Sequence, residues 1–354
     1  MAALEPFRAV RYSGAAGSLA DLVAPPYDAV TGDQRDRLLT RSPYNVVRLL
    51  LPESVEEAGR LYRDWLDDGI LVREGEPAAW LLVEDYVGPD GVARERRGVV
   101  VSLAAQPYEA GRVLPHERTH PRIREERLRL LRALRAQPEP ILLLHEGEQA
   151  VRTPEHEADL RVDGSRLWSL RDVDLERVGA GPLLIADGHH RYESAVELGD
   201  AARIMALVVS TADPGLQVFP THRVFAGRPD LSESTGGTRF DSVDDALGAL
   251  ATVSPGRAAA VAHRAGVTEL LEGADELDVE LVDRFGLEGI SYTPDAAAAV
   301  AAVDRGEADA AFLLRGARVE DVFAVARRGE RMPPKSTYFY PKPLSGLLFH
   351  PVQS

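Results

Sequence analysis

The chain has 354 residues, with 41 Lys+Arg against 56 Asp+Glu, a formal net charge of −15 and no cysteine. At roughly 100–200 residues per domain this length implies two or three domains, and a composition 45% hydrophobic and 27% charged is that of a folded chain. The acidity argues against binding duplex DNA or RNA by phosphate neutralisation, and the lack of cysteine excludes disulfides, thiolate metal sites and cysteine nucleophiles.

The opening MAALEPFRAV lacks the charged-then-apolar plan of a secretory signal, and no apolar run approaches the roughly 18 residues that span a bilayer. A cytoplasmic protein is expected, with no membrane or nucleic-acid partner; the oligomeric state leaves no signature. Only two of the 41 cationic residues are lysine, Lys335 and Lys342. That skew looks like codon pressure, and both survivors lie in the stretch KSTYFYPK. An ammonium and a guanidinium differ at a tight oxyanion site, so these two positions are candidates for needing the ammonium.

In chain order, Ala24-Pro25-Pro26-Tyr27-Asp28 reads as a rigid extended segment, a platform for Tyr27 and Asp28. Thr31 starts a helix over 34–40. The run 45–51, which holds the only asparagine, Asn45, predicts a buried strand. Helical spacing over 55–67 puts Leu61, Trp65 and Leu66 inward. Segments 80–87 and 98–103 predict a hairpin around Gly88-Pro89-Asp90-Gly91. Residues 118–135 read as a basic helix with seven arginines, its Ile123, Leu128, Leu131 and Leu134 facing a core. Strands are predicted at 141–144, 182–186 and 204–209, with a helix over 189–198 closed by Gly199. Residues 227–240 look like a linker; beyond it a helix over 296–303 and strands at 256–262, 309–314 and 322–326 suggest an α/β or α+β unit. The expected fold is thus mixed α/β with three parts: 1–155, 156–226 and 227–354.

The sharpest motif is Ala186-Asp187-Gly188-His189-His190-Arg191-Tyr192-Glu193, a strand ending in an Asp-Gly turn that opens a helix. Free amides and the positive end of the macrodipole meet there, making an anion site; Gly188 permits close approach, and His189, His190 and Arg191 supply donors. The bland alternative is a capped helix with solvated histidines. In Leu114-Pro115-His116-Glu117-Arg118-Thr119-His120 the H-E-x-x-H spacing suggests a zinc helix, but Pro115 and Pro121 disfavour one. A polar loop bringing Glu117 as a base and His116 to a shared pocket is the better reading.

Gly329 to Ser336 nearly matches a P-loop, but proline stands at the second glycine and the following residues are β-like. Lys335, Ser336 and Thr337 are left as candidates for reaching a phosphate from a proline-braced loop, against the alternative that Tyr338, Phe339 and Tyr340 merely seal a core. His222 and Arg223, after Pro220, are either a pocket edge or an ordinary strand start.

Taken together, APPYD, NVVRL, LPHERT, ADGHHRYE, PTHRV and MPPKSTYFYPK resemble the bacterial and archaeal family catalogued as DUF1015, over nearly the whole chain. ADGHHR is also similar to the phosphate-binding motif of the ParB/sulfiredoxin-like fold, which includes nucleotide-dependent kinases of free serine. Position by position, this second likeness implies a ParB/sulfiredoxin-like unit with Gly188, His189, His190 and Arg191 on nucleotide phosphates and Asp187 nearby. Sulfiredoxin's catalytic cysteine has no equivalent here.

The expectation is therefore a phosphotransferase acting on a small hydroxyl compound, free serine being one candidate, with ATP or ADP and Mg²⁺ as cofactors. Its catalytic residues would be Glu117, Asp187 and Lys335, with Asp187 also the metal ligand. Gly188, His189, His190, Arg191, His116, His222, Arg223, Ser336 and Thr337 would hold the nucleotide. The alternatives are a nucleotide-binding regulator with slow or no hydrolysis and a metal-dependent hydrolase.

Overall fold

The computed structural model describes residues 4–148, 151–199, 202–226, 237–274, 277–286 and 288–352. Its centre is a mixed nine-stranded sheet in the order 113–114, 183–187, 141–145, 203–210, 93–104, 79–87, 165–170 and 160–162, with Leu4–Glu5 paired to Ala93–Ala104. The hairpin Ala79–Val87 with Ala93–Ala104 forms where expected. Strands from 1–155 and from 156–226 hydrogen-bond within this one sheet, so that boundary falls inside a single hydrogen-bonded layer.

Side chains alternate across the sheet and both faces are buried. One face carries Leu81, Val99, Ile141, Leu143, Ile185 and Val208, covered by Tyr192 and Ala195 of the helix His189–Val196. The other carries Trp80, Leu82, Leu142, Leu144, Leu184 and Met205, covered by Val322, Phe323, Met332, Phe339 and Leu347 from the C-terminal part of the chain. The C-terminal segment therefore returns to the first sheet, and this brings KSTYFYPK to the end of the strand Leu183–Asp187. A third core packs the helices Gly32–Arg41, Val55–Asp67 and Pro121–Leu134 around Trp65, Tyr62 and Phe349. Gly59 allows the close crossing of the last two helices, since a Cβ there would stand 2.5 Å from the Ala133 carbonyl oxygen.

A second sheet, antiparallel throughout, runs 238–240, 267–272, 259–264, 310–313, 222–225, 290–293. The helices Val243–Thr252 and Ala296–Asp304 cover one face of it and Asp278–Asp283 contributes to the other.

Several expectations need correction. The run 45–51 holds no strand but the short helix Val47–Leu50, because buried Asn45 accepts from Val47 N at 2.9 Å and donates to Asp21 O at 2.7 Å. Segment 322–326 lies in the helix Val319–Arg327. Within the supposed linker, Thr238–Phe240 is a strand, and 227–236 lies outside the described residues. Tyr62 and Leu130 are buried where Leu61, Leu66, Ile123 and Leu131 are only half-buried. Residues 115–120 are non-helical, and Pro121 begins the basic helix. No helix among the described residues is long and apolar enough to cross a membrane.

Candidate functional site

Strand Leu183–Asp187 ends at Gly188, which adopts the left-handed conformation (φ 98°, ψ 27°), and the helix starts at once with His189. The space is as decisive as the dihedral: a Cβ on Gly188 would lie 2.7 Å from Ile141 Cγ2. The amides of the first helical turn, His189, His190 and Arg191, have no acceptor within the helix and point out of its N-terminus.

The histidines fix the neighbouring loop. His116 Nδ1 donates to Ile185 O at 2.7 Å, which leaves Nε2 to accept the Thr337 hydroxyl at 3.0 Å. His189 Nε2 accepts from His116 N at 3.3 Å and His190 Nε2 accepts from His120 N at 2.8 Å. The 116–120 loop is thus clipped to the helix by two neutral imidazoles whose Nδ1 atoms carry the protons. Burial holds the His116 pKa down to about 4. Burial, reinforced by His116 and His190, pushes that of His189 well below the ordinary range.

Glu117 sits between these rings, its carboxylate oxygens 4.0 Å from His116 Nε2 and 4.0 Å from His189 Nδ1. A third of its side chain remains accessible to solvent, yet protein surrounds the carboxyl closely. Its pKa is pushed up to about 7, by burial first and then by Asp187, against the opposing pull of Lys335 and Lys342. A carboxyl whose pKa is raised toward neutrality by burial and a neighbouring carboxylate is a candidate for proton transfer.

Asp187 lies beside it with both oxygens engaged: Oδ2 accepts from Arg191 at 2.7 Å and Oδ1 pairs with Lys342 at 2.9 Å. Lys342 also binds Asp28 Oδ2 at 2.5 Å. Burial opposes the charge of Lys342, but the two aspartates more than offset it and raise its pKa. Asp28, which burial alone would raise, is brought below its ordinary value by Lys342 and Arg191.

The structure thus gathers Glu117, Asp187, Gly188, His116, His189, His190, Thr337 and the ammonium of Lys335 at one end of the central sheet. Arg191 is there, but turned inward: it donates to Pro140 O at 2.6 Å and to Asp187, and its Nε lies 3.8 Å from buried Glu139. Ser336 is buried and donates to Pro333 O at 2.6 Å. His222 and Arg223 stand apart, in the second sheet. His222 Nδ1 accepts from Leu314 N at 3.1 Å, and Arg223 is wholly buried behind the Lys335 loop. Lys342 and Asp28 complete the cluster although neither was among the expected site residues; the lysine scarcity and the APPYD segment were the signals that pointed to them.

Asp187 is a poor candidate metal ligand, because two cationic side chains already occupy its oxygens. Among the described residues no group of three or more His, Asp or Glu side chains is arranged to hold a metal ion. The metal-dependent hydrolase reading has no ligand set among these residues.

A family model described as "Protein of unknown function (DUF1015)" matches residues 4–266. The chain belongs to this family. No curated protein sequence matches it. Among solved structures, this DUF1015 chain is similar to SbnI with a C-terminal truncation from Staphylococcus aureus, at 14% identity and a TM-score of 0.43, over 70% of this chain and 85% of that one. It is similar to a free serine kinase in complex with AMP at 19% identity and a TM-score of 0.41, over 68% and 86%. It is also similar to a conserved hypothetical protein from Pyrococcus furiosus at 19% and 0.39, over 68% and 90%. Values this low carry no residue's role from those proteins to this one.

Proposed function

We propose that this protein is a phosphotransferase that moves a phosphoryl group from a nucleoside di- or triphosphate to a small hydroxyl compound, free serine being the first candidate. The observation that carries the reading is Glu117, a carboxyl with a pKa of about 7 set between two neutral histidines and facing two lysines. The donor is taken as a nucleotide because ADGHHR resembles the phosphate-binding motif of ParB/sulfiredoxin-like units. The open helix N-terminus behind left-handed Gly188 fits such a phosphate.

The nucleotide would supply the phosphoryl group and carry away the bonding electron pair of the broken P–O bond. The chain's own contribution is positioning and charge. Glu117, ionised, takes the proton of the acceptor hydroxyl as its oxygen forms the new O–P bond. His189 Nδ1 stands 4.0 Å from that carboxylate, beyond hydrogen-bond distance. The first-turn amides of His189 and His190 and the Lys335 ammonium receive phosphate oxygens. Lys342 and Arg191 together offset the charges of Asp187 and Asp28, which limits the negative charge facing the incoming anion. Mg²⁺ does not fit Asp187 as it stands, and no step is assigned to it.

A nucleotide-binding regulator is the second reading. It is favoured by the engagement of the His189 and His190 Nε2 atoms with backbone amides, which gives a rigid binding corner. Incubation with ATP or ADP and a panel of hydroxyl acceptors, followed by ³¹P NMR, separates the two. A phosphorylated acceptor, lost by at least a hundredfold in Glu117→Gln with nucleotide binding retained, supports the enzyme; saturable binding without product supports the regulator.

A further inference from the structure

Arg223 belongs to the second sheet, in the strand His222–Phe225 between Ala310–Leu313 and Ile290–Thr293. Its side chain is fully buried and leaves that sheet for the loop carrying Lys335. One guanidinium nitrogen donates to Thr221 O at 2.5 Å and to Lys335 O at 3.2 Å; the other donates to Pro334 O at 3.4 Å. Its Nε lies 3.7 Å from Asp283, and the group sits 5.4 Å above the Tyr292 ring.

Lys335 is one of three described non-glycine residues with positive φ, at 58°. An L-residue in that region carries strain of about 1 kcal/mol, which a glycine would avoid. The side chain is exposed while the next residue, Ser336, is buried and tied to Pro333 O. The loop is therefore held by its carbonyls from beneath while its ammonium faces outward. A buried guanidinium is a costly way to fill a core, and apolar residues of similar volume commonly serve stability as well. What it does here that they cannot do is hold two successive carbonyls at a non-glycine left-handed turn.

We infer that Arg223 is a positioning residue: from the second sheet it clamps the carbonyls of Pro334 and Lys335, and so sets where the Lys335 ammonium stands relative to Glu117. The second sheet is then the anchor for one side of the site. The functional meaning of the clamp rests on the phosphotransferase reading; the clamp itself does not.

The scarcity of lysine supplies a direct probe. A lysine-specific endopeptidase has one favourable bond in the chain, Lys335–Ser336, since Lys342 is followed by Pro343. In native protein, Arg223→Gln is expected to accelerate that single cleavage at least tenfold. Arg223→Lys, which can still reach one carbonyl, should fall between it and wild type. Arginine-directed trypsin cleavage and the melting temperature report whether the rest of the fold is intact. Should Arg223→Gln not fold, Asp283→Asn loosens the same guanidinium and is expected to give a two- to threefold acceleration. A cleavage rate unchanged from wild type in a folded variant overturns the clamp.

The second arm is turnover. Acting through Lys335, Arg223→Gln should lower kcat at least tenfold on its own and have no further effect in a Lys335→Ala background. Independent, additive losses would mark a general packing role and refute positioning. If the wild-type protein transfers no phosphoryl group, the functional reading fails while the proteolysis result still decides the clamp.

Discussion

Lys342 reaches Asp187 from the far end of the chain and occupies Oδ1 at 2.9 Å, while Arg191, four residues from Asp187, occupies Oδ2 at 2.7 Å. The same ammonium bridges to Asp28 at 2.5 Å, so three distant segments share one partly buried charge. Removing it leaves two neighbouring carboxylates facing each other. Lys342→Met is expected to destabilise the fold by about 2 kcal/mol, below the 3–5 kcal/mol of a fully buried pair because Asp28 is partly exposed. Urea unfolding measures this, and adding Asp187→Asn should recover much of the loss.

Glu117 gives a two-sided pH prediction. Its folded pKa of about 7 lies above its ordinary 4.5, so between those values the folded state binds more protons than the unfolded one. Its contribution to stability therefore declines as pH rises from 4.5 to 7. Glu117→Gln should be the more heat-stable protein at pH 8, and the gap should close toward pH 4.5. Turnover needs the ionised form, so the rate should fall about tenfold per pH unit below 7. A rate flat from pH 5 to 8 would remove Glu117 as the base.

Gly188→Ala tests the corner itself. The left-handed backbone costs alanine about 1 kcal/mol, and the contact with Ile141 Cγ2 at 2.7 Å adds overpacking in a rigid strand. The expected loss is about 3 kcal/mol in chemical denaturation, together with loss of any nucleotide-induced thermal shift.

Three buried histidines, His116, His222 and His350, have pKa values pushed down by burial to about 4. The unfolded chain takes up their protons near pH 6.5 and the folded chain does not, so stability is lost as pH falls from 6.5 to 4. At about 1.4 kcal/mol per unit, each contributes on the order of 3 kcal/mol to that loss. Thermal melts followed by circular dichroism should show a Tm that falls as pH drops from 6.5 to 4, partly offset by the Glu117 gain over pH 7 to 4.5. A wild-type Tm that rises across pH 6.5 to 4 would contradict the neutral assignment.

Where a local rule was strong, the sequence alone was enough. Asp187-Gly188 before a helical run specifies a strand–turn–helix, and Thr31 caps its helix by accepting from Gln34 N at 3.3 Å. Where two rules compete, it was not. The apolar run after Asn45 reads as a buried strand, yet Asn45 bonds with Asp21 and Val23 make it the start of a short helix.

The site divides in the same way. From the residues alone came Glu117, the DGHHR corner and the interest of the two lysines, because each is a local pattern of chemistry. Only the closed fold turned Arg191 inward, set Arg223 behind the Lys335 loop and placed Lys342 between two aspartates. Backbone preferences act over a few residues and are written in neighbouring letters. A shifted pKa or an ion pair depends on which distant groups exclude water together, and that is decided when the C-terminal segment packs back onto the central sheet.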